Sequence, residues 1–236
     1  MAKFAYAVGR IRALEARLLS ESQMVRMIEA KDFDSAYAIF RENPYWAAKI
    51  DKLTYAFDFE TLLEQELVDT QNLLEYLAPK NEMLNALWKK YQPDISFADY
   101  LKYLKKVSQK YQISLFTKYV EGFTILNQLK INLFSEKTNL EEIENRYRHS
   151  DYYLAIKIGL GEFQKSGSLF ALEREIDNFL LVMVKKAKYQ VFGFEPLLGF
   201  ALAKENEIKI LRLILTAKKL QVKPEKIKER LRLSYV

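Results

Sequence analysis

The sequence contains no cysteine and a single histidine, His149, in 236 residues. Without thiols there can be no disulfide framework, no thiolate zinc site and no cysteine nucleophile. One histidine cannot supply a two-histidine metal site, and it leaves one possible base for a serine–histidine–acid arrangement. His149 lies between Arg148 and Ser150 at a junction between two helical patterns, which reads as a loop residue. Glycine and proline are also scarce, at seven and five. A β-sandwich or barrel needs a turn every ~8–12 residues, so these counts argue against one. No apolar run reaches the ~20 residues a membrane helix needs, since Glu195 interrupts the stretch from Val191 to Ala203. Arg10, Arg12, Glu15 and Arg17 crowd the start, where a secretory leader would place an apolar run.

What remains is a chain half hydrophobic and 29% charged, the mixture of a folded soluble protein. Its patterning is helical almost throughout. Val8, Ile11, Leu14 and Leu18 mark one face of a helix over 7–19. Asp34 is the expected cap of a short helix that Pro44 closes, and a long helix is expected from about Phe57 to Leu77. Ser96 caps 97–111, another helix covers Ser114 to Phe134, and Thr138 or Asn139 caps 140–148. In the second half, the helix opening at Ser150 or Asp151 is weakened by Gly159 and Gly161. Ser168 begins a helix through Lys188, and Gly193 breaks it. Pro196 and Pro224 then sit in the first turns of helices over 195–219 and 225–232. The fold class is therefore all-α.

Three blocks recur in the same order. Leu63-Glu64-Gln65-Glu66-Leu67 parallels Leu172-Glu173-Arg174-Glu175-Ile176, and Asn127 to Ile131 parallels Asn206 to Ile210. Glu142 to Arg146 parallels Lys226 to Arg230. Order without uniform spacing predicts two degenerate helical-bundle repeats, 1–149 and 150–236.

Sites of chemistry are hard to find. Gly161 and Gly167 have five residues between them, one more than a phosphate-binding loop allows, and Ser168 stands where that loop needs lysine, so no such loop is expected. No catalytic, cofactor-binding or metal-binding residues are assigned. On the helix over 195–219, Glu205 and Arg212 lie seven apart on an otherwise apolar face, and charges there are costly unless paired. Both are expected to be hydrogen-bonded and partly buried as a structural polar pair, and Arg10 and Arg12 are read the same way. Residues 185–236 carry 13 Lys and Arg against 5 Asp and Glu, a net of +8. A solvated helix face, an acidic protein partner, anionic lipid headgroups or a nucleic-acid backbone would each suit that charge, and Lys218, Lys219, Lys226, Lys228, Arg230 and Arg232 are the residues expected to face a partner rather than bulk water.

Phe192-Gly193-Phe194-Glu195-Pro196-Leu197, Lys204-Glu205-Asn206-Glu207-Ile208-Lys209 followed by Arg212, and the closing Glu225 to Val236 together resemble the C-terminal repeat of the C-subunit family of V-type/A-type ATPases, known as the d subunit in eukaryotic pumps. Tyr6 to Glu15 resembles the family's opening helix, and Asn43-Pro44-Tyr45 falls where its T-P-Y turn does. Phe123 to Lys130 is similar to its repeat-ending helix, with Phe123 in place of the usual Asp. The resemblance implies a non-catalytic rotor subunit that links the central stalk to the membrane proteolipid ring and transmits torque for H⁺ or Na⁺ transport. It would sit on the cytoplasmic face, touching the membrane through the complex and binding no nucleic acid. It also implies three bundles in a pseudo-threefold funnel, of which this chain has room for two. The basic tail alone would equally suit a helical-repeat adaptor for an acidic protein or nucleic acid.

Overall fold

Every regular element among the described residues is helical. The computed structural model describes residues 4–53, 55, 58–91, 94–133 and 139–236. Thirteen α-helices occur in this order: α1 (Ala5–Glu15), α2 (Glu21–Glu29), α3 (Phe33–Arg41), α4 (Pro44–Ile50), α5 (Phe59–Leu77), α6 (Glu82–Trp88), α7 (Phe97–Tyr111), α8 (Ser114–Leu133), α9 (Leu140–Arg146), α10 (Tyr153–Ser166), α11 (Phe170–Lys186), α12 (Glu195–Lys219) and α13 (Pro224–Arg230). Phe57, Phe134 and Thr138, named above as helix limits or caps, lie outside the described residues.

Two compact units result. Unit 1 joins residues 1–79 to 184–236, and unit 2 comprises 80–183. This spatial division differs from the boundary at 149/150, which rests on sequence similarity. The long helix α12 returns to the N-terminal helices, so the end of the chain completes the core that its beginning starts.

In unit 1, α12 is the central element and packs against α5, α1, α3, α2 and α13. It is buried on all sides from Pro196 to Ile208, so it lacks the single apolar stripe of a surface helix. Around it, Met27, Ile28, Phe40, Trp46 and Leu63 close a core with Leu211, Ile214 and Leu215. In unit 2, α6 packs on α7 and α7 on α8. A second core gathers Ile125, Leu129, Tyr152, Ile156, Leu160 and Leu172 from α8, α10, α11 and the turn before α10.

Local chemistry explains the boundaries. Ser96 accepts from the Asp99 N–H, and Asn139 accepts from those of Glu141 and Glu142, as their capping propensities predict. Four expectations are corrected. Asp32 rather than Asp34 caps α3, accepting from the Ser35 N–H. Pro44 does not only end a helix; it opens α4 at a position where its missing N–H costs nothing, with Asn43 as cap. The opening helix stops at Glu15, short of Leu19. The helix expected from Ser168 through Lys188 begins at Phe170 and ends at Lys186, before a 3-10 turn at Ala187–Tyr189. Two further helices have no counterpart in the sequence reading. One is α6; the other is α2, announced by a capping box in which Ser20 and Gln23 satisfy each other's backbone N–H.

Candidate functional site

The most distinctive feature of unit 1 is an ionic network built on α12 and closed by residues far away in sequence. Lys204 is 3% exposed. Its ammonium donates to Glu207 Oε2 at 2.7 Å and pairs with Glu66 Oε1, on α5, at 2.8 Å. Glu66 is wholly buried; it also accepts from the Tyr45 hydroxyl at 2.8 and 2.9 Å and pairs with Lys49 at 2.5 Å. Lys49 reaches on to Asp69 at 2.5 Å. The remaining oxygen of Glu207 accepts the Leu19 backbone N–H at 2.7 Å. The Lys204 ammonium also lies 4.7 Å from the Tyr45 ring centre and 5.1 Å from that of Trp46, a cation–π arrangement with two rings.

Two cations thus answer three carboxylates, and neutral donors fill further lone pairs. Burial alone would lower the Lys204 pKa, but the charges of Glu207 and Glu66 outweigh it and the ammonium is held more firmly than usual. Burial, then the Glu66 charge, pushes the Tyr45 hydroxyl up. A lysine used as a nucleophile or Schiff-base former needs the opposite shift, so the network suits fixing helices in place. Among the described residues no cluster of His, Cys, Asp or Glu could hold a metal ion.

The neighbouring residues of α12 do similar work. The Asn206 side chain donates to the Leu233 carbonyl at 2.9 Å. Tyr235 bonds to Glu15 through its hydroxyl, while Lys188 donates to its carbonyl at 2.9 Å and lies over its ring. Arg12 joins Glu15 at 2.7 Å and the carbonyls of Ala187 and Gln190 at 2.8 and 2.9 Å. The last residues of the chain are thereby tied to α1 and α12.

This arrangement carries a pH signature. Folded unit 1 holds the protons of Lys204, Tyr45 and Tyr235 more tightly than the unfolded chain does, burial being the first cause for both tyrosines. A raised folded pKa gives stability that is complete below the unfolded value and lost as pH rises beyond it. With ordinary values of 10.0 for tyrosine and 10.5 for lysine, the urea midpoint should stay level with respect to these groups at neutral pH and fall above pH 10. Tyr45→Phe should remove part of that fall. An unchanged alkaline limb in this variant would show that Tyr45 does not contribute.

The structure places the residues expected from sequence unevenly. Glu205 is buried with Lys209 at 3.5 Å. Arg212 is half-buried and donates to Glu60 at 2.7 Å. The two share one helix, and α12 sends them to different neighbours. Arg12 is held as described, whereas Arg10 is exposed, against expectation, because α1 turns that side to solvent. The six basic residues also separate. Lys218 is buried and donates to the Ala30 carbonyl at 2.5 Å, so it serves the fold; burial lowers its pKa. Lys228 pairs with Glu29 and Lys226 with Glu229. Lys219, Lys226, Lys228 and Arg230 are exposed, and Arg232 is half-buried. His149 is exposed in a turn after α9.

Lys226, Arg230 and Arg232 also line a groove of about 890 Å³ in unit 1, between the C-terminal half of α12, α13 and the start of α5. Leu213, Ala217, Leu220, Val222 and Ile227 give it apolar walls, and Lys209, Arg212, Glu60 and Glu229 complete the rim.

The fold is thus all-α, with α12 buried on all sides from Pro196 to Ile208 and a basic groove along its C-terminal half. The chain belongs to the ATP synthase (C/AC39) subunit family, whose model matches residues 7–177 and, in a second alignment, 101–230. It is 24% identical over 182 residues to the C subunit of the A-type ATP synthase of Methanothermobacter thermautotrophicus, covering 75% of this chain and 44% of the relative. To the C subunits of the A-type ATP synthases of Methanocaldococcus jannaschii and Pyrococcus furiosus it is 30% identical over 90 and 78 residues. Those alignments cover 38% and 33% of this chain, and 23% and 21% of the relatives. The matched stretch is thus less than half of each relative's length. No helix among the described residues is long and apolar enough to cross a membrane.

Proposed function

We propose that the chain is a non-catalytic rotor subunit of a V/A-type ATPase, joining the central stalk to the membrane proteolipid ring and transmitting torque for H⁺ or Na⁺ transport. It would sit at the cytoplasmic face, held there by partner subunits. The observation that carries this reading is the family match, in two overlapping alignments over residues 7–177 and 101–230. The construction of unit 1 supports it. A part that passes torque must not shear internally, and α12 is fastened to α5 by Lys204–Glu66 and to the segment before α2 by Glu207–Leu19. The halves 1–149 and 150–236 are proposed as two degenerate repeats, on the order of the recurring blocks in the sequence. The exposed residues Lys219, Lys226, Lys228 and Arg230, with Arg232, would face a partner.

Affinity purification of the tagged chain from membranes in mild detergent tests the reading. Stoichiometric recovery of proteolipid, central-stalk and nucleotide-binding subunits is the expected result. A soluble chain without them, binding DNA or RNA with steep salt dependence, would transfer the protein to the adaptor class.

A further inference from the structure

We infer that the groove between α12 and α13 receives an acidic amphipathic helix of a protein partner. This deepens the reading above, that the basic surface meets a partner, by naming the chemistry of what docks. Leu220 is 69% exposed and Val222 lies beside it, on a wall that continues into the buried Ile227. Large apolar side chains gathered in a groove favour an apolar stripe as occupant, and helix-in-groove recognition supplies one through residues spaced i, i+3, i+4 and i+7. The rim selects the charge. Five cations line the groove, from Lys209 to Arg232, against the two carboxylates Glu60 and Glu229. Both carboxylates pair within the rim, Glu60 with Arg212 at 2.7 Å and Glu229 with Lys226 at 3.0 Å, and the lining as a whole keeps an excess of positive charge. A helix with glutamates flanking a leucine stripe matches both features. A lysine-flanked one matches only the floor, and like charges across an interface are strongly disfavoured.

The test is a fluorescence-anisotropy titration of the full chain with three labelled probes. One is an 18-residue peptide with a leucine stripe and glutamate flanks, one the same peptide with lysine flanks, and one a scrambled glutamate peptide without a stripe. The first alone should bind, and salt should weaken it. Leu220→Asp and the pair Lys226→Glu with Arg230→Glu should each reduce its affinity at least tenfold, with helical content by circular dichroism unchanged. Equal binding of all three peptides, binding unaffected by these variants, or no binding of the first peptide would overturn the inference. Phosphatidylglycerol vesicles, bound by the wild-type chain and lost in the charge variant while the first peptide is ignored, would assign the groove to lipid headgroups instead. Any of these results could coexist with successful recovery of the ATPase partners, so the groove can fail while the assembly reading stands.

Discussion

Replacing Lys204 by methionine is expected to destabilise unit 1 by about 3–5 kcal/mol, the range for removing one partner from a buried ion pair. Methionine keeps much of the length and flexibility of the side chain, so packing changes little. What changes is electrostatic. Glu66, wholly buried, loses one of its two cations and keeps Lys49 and the Tyr45 hydroxyl, while Glu207 is left with the Leu19 N–H. Neither carboxylate can turn to water without opening the core around α12. The companion variant decides the cause. Adding Glu66→Gln and Glu207→Gln to Lys204→Met removes the uncompensated charges, and should recover a large part of the loss, since neutralising a whole buried cluster is often tolerated. Urea denaturation of the wild type and both variants measures this. A single variant that unfolds like the wild type, or a triple variant that recovers nothing, would contradict the charge account.

The two glycines of α10 should respond in opposite directions. A Cβ at Gly159 would stand 2.5 Å from the Leu172 Cα and 2.7–2.8 Å from its side chain. Because the obstacle includes backbone, α10 and α11 would have to part, and Gly159→Val is expected to cost ~1–3 kcal/mol or more. At Gly161 nothing lies within 4 Å of the added atom. Gly161→Ala in a helix interior should therefore stabilise by ~0.5–1 kcal/mol, through the reduced freedom of the unfolded chain. Thermal denaturation of both variants checks the pair of signs. Equal destabilisation by both would mean that the close approach of α11 is not what distinguishes the two positions, and would contradict this account.

Those glycines also show where local reading stops. As a pair they suggest a weakened helix, yet α10 runs unbroken through both, because the close approach of α11 makes Gly159 a contact and not a break. Residues that act within one turn are legible: Ser96 as a cap, Pro196 and Pro224 in first turns, Gly193 at φ 99° ahead of α12. The Ser20 and Gln23 box is equally local, and its spacing is the signal by which α2 can be found. The ionic network is not legible in the same way. Spacing along α12 draws attention to Glu205 and Arg212, while the residues that meet are Lys204, Glu207 and Glu66, the last of them far away on α5. A segment buried on every side, as α12 is from Pro196 to Ile208, has no polar face from which to read its partners. The one available signal is four consecutive polar residues, Lys204 to Glu207, inside a strongly apolar helix. The family resemblance drawn from that same block and from the chain's opening helix agrees with the family match, and it holds more of the functional reading than any single side chain.

Ion transport measured in inverted membrane vesicles tests the coupling role most directly. Vesicles from cells lacking this chain, and from cells supplied with it again, would be given ATP while nucleotide hydrolysis and ion accumulation are followed together. A torque-transmitting subunit predicts that its loss abolishes accumulation while the detached catalytic sector can still hydrolyse ATP, and that restoring the chain restores accumulation. ATP-driven ion accumulation that proceeds unchanged without it would contradict the coupling role.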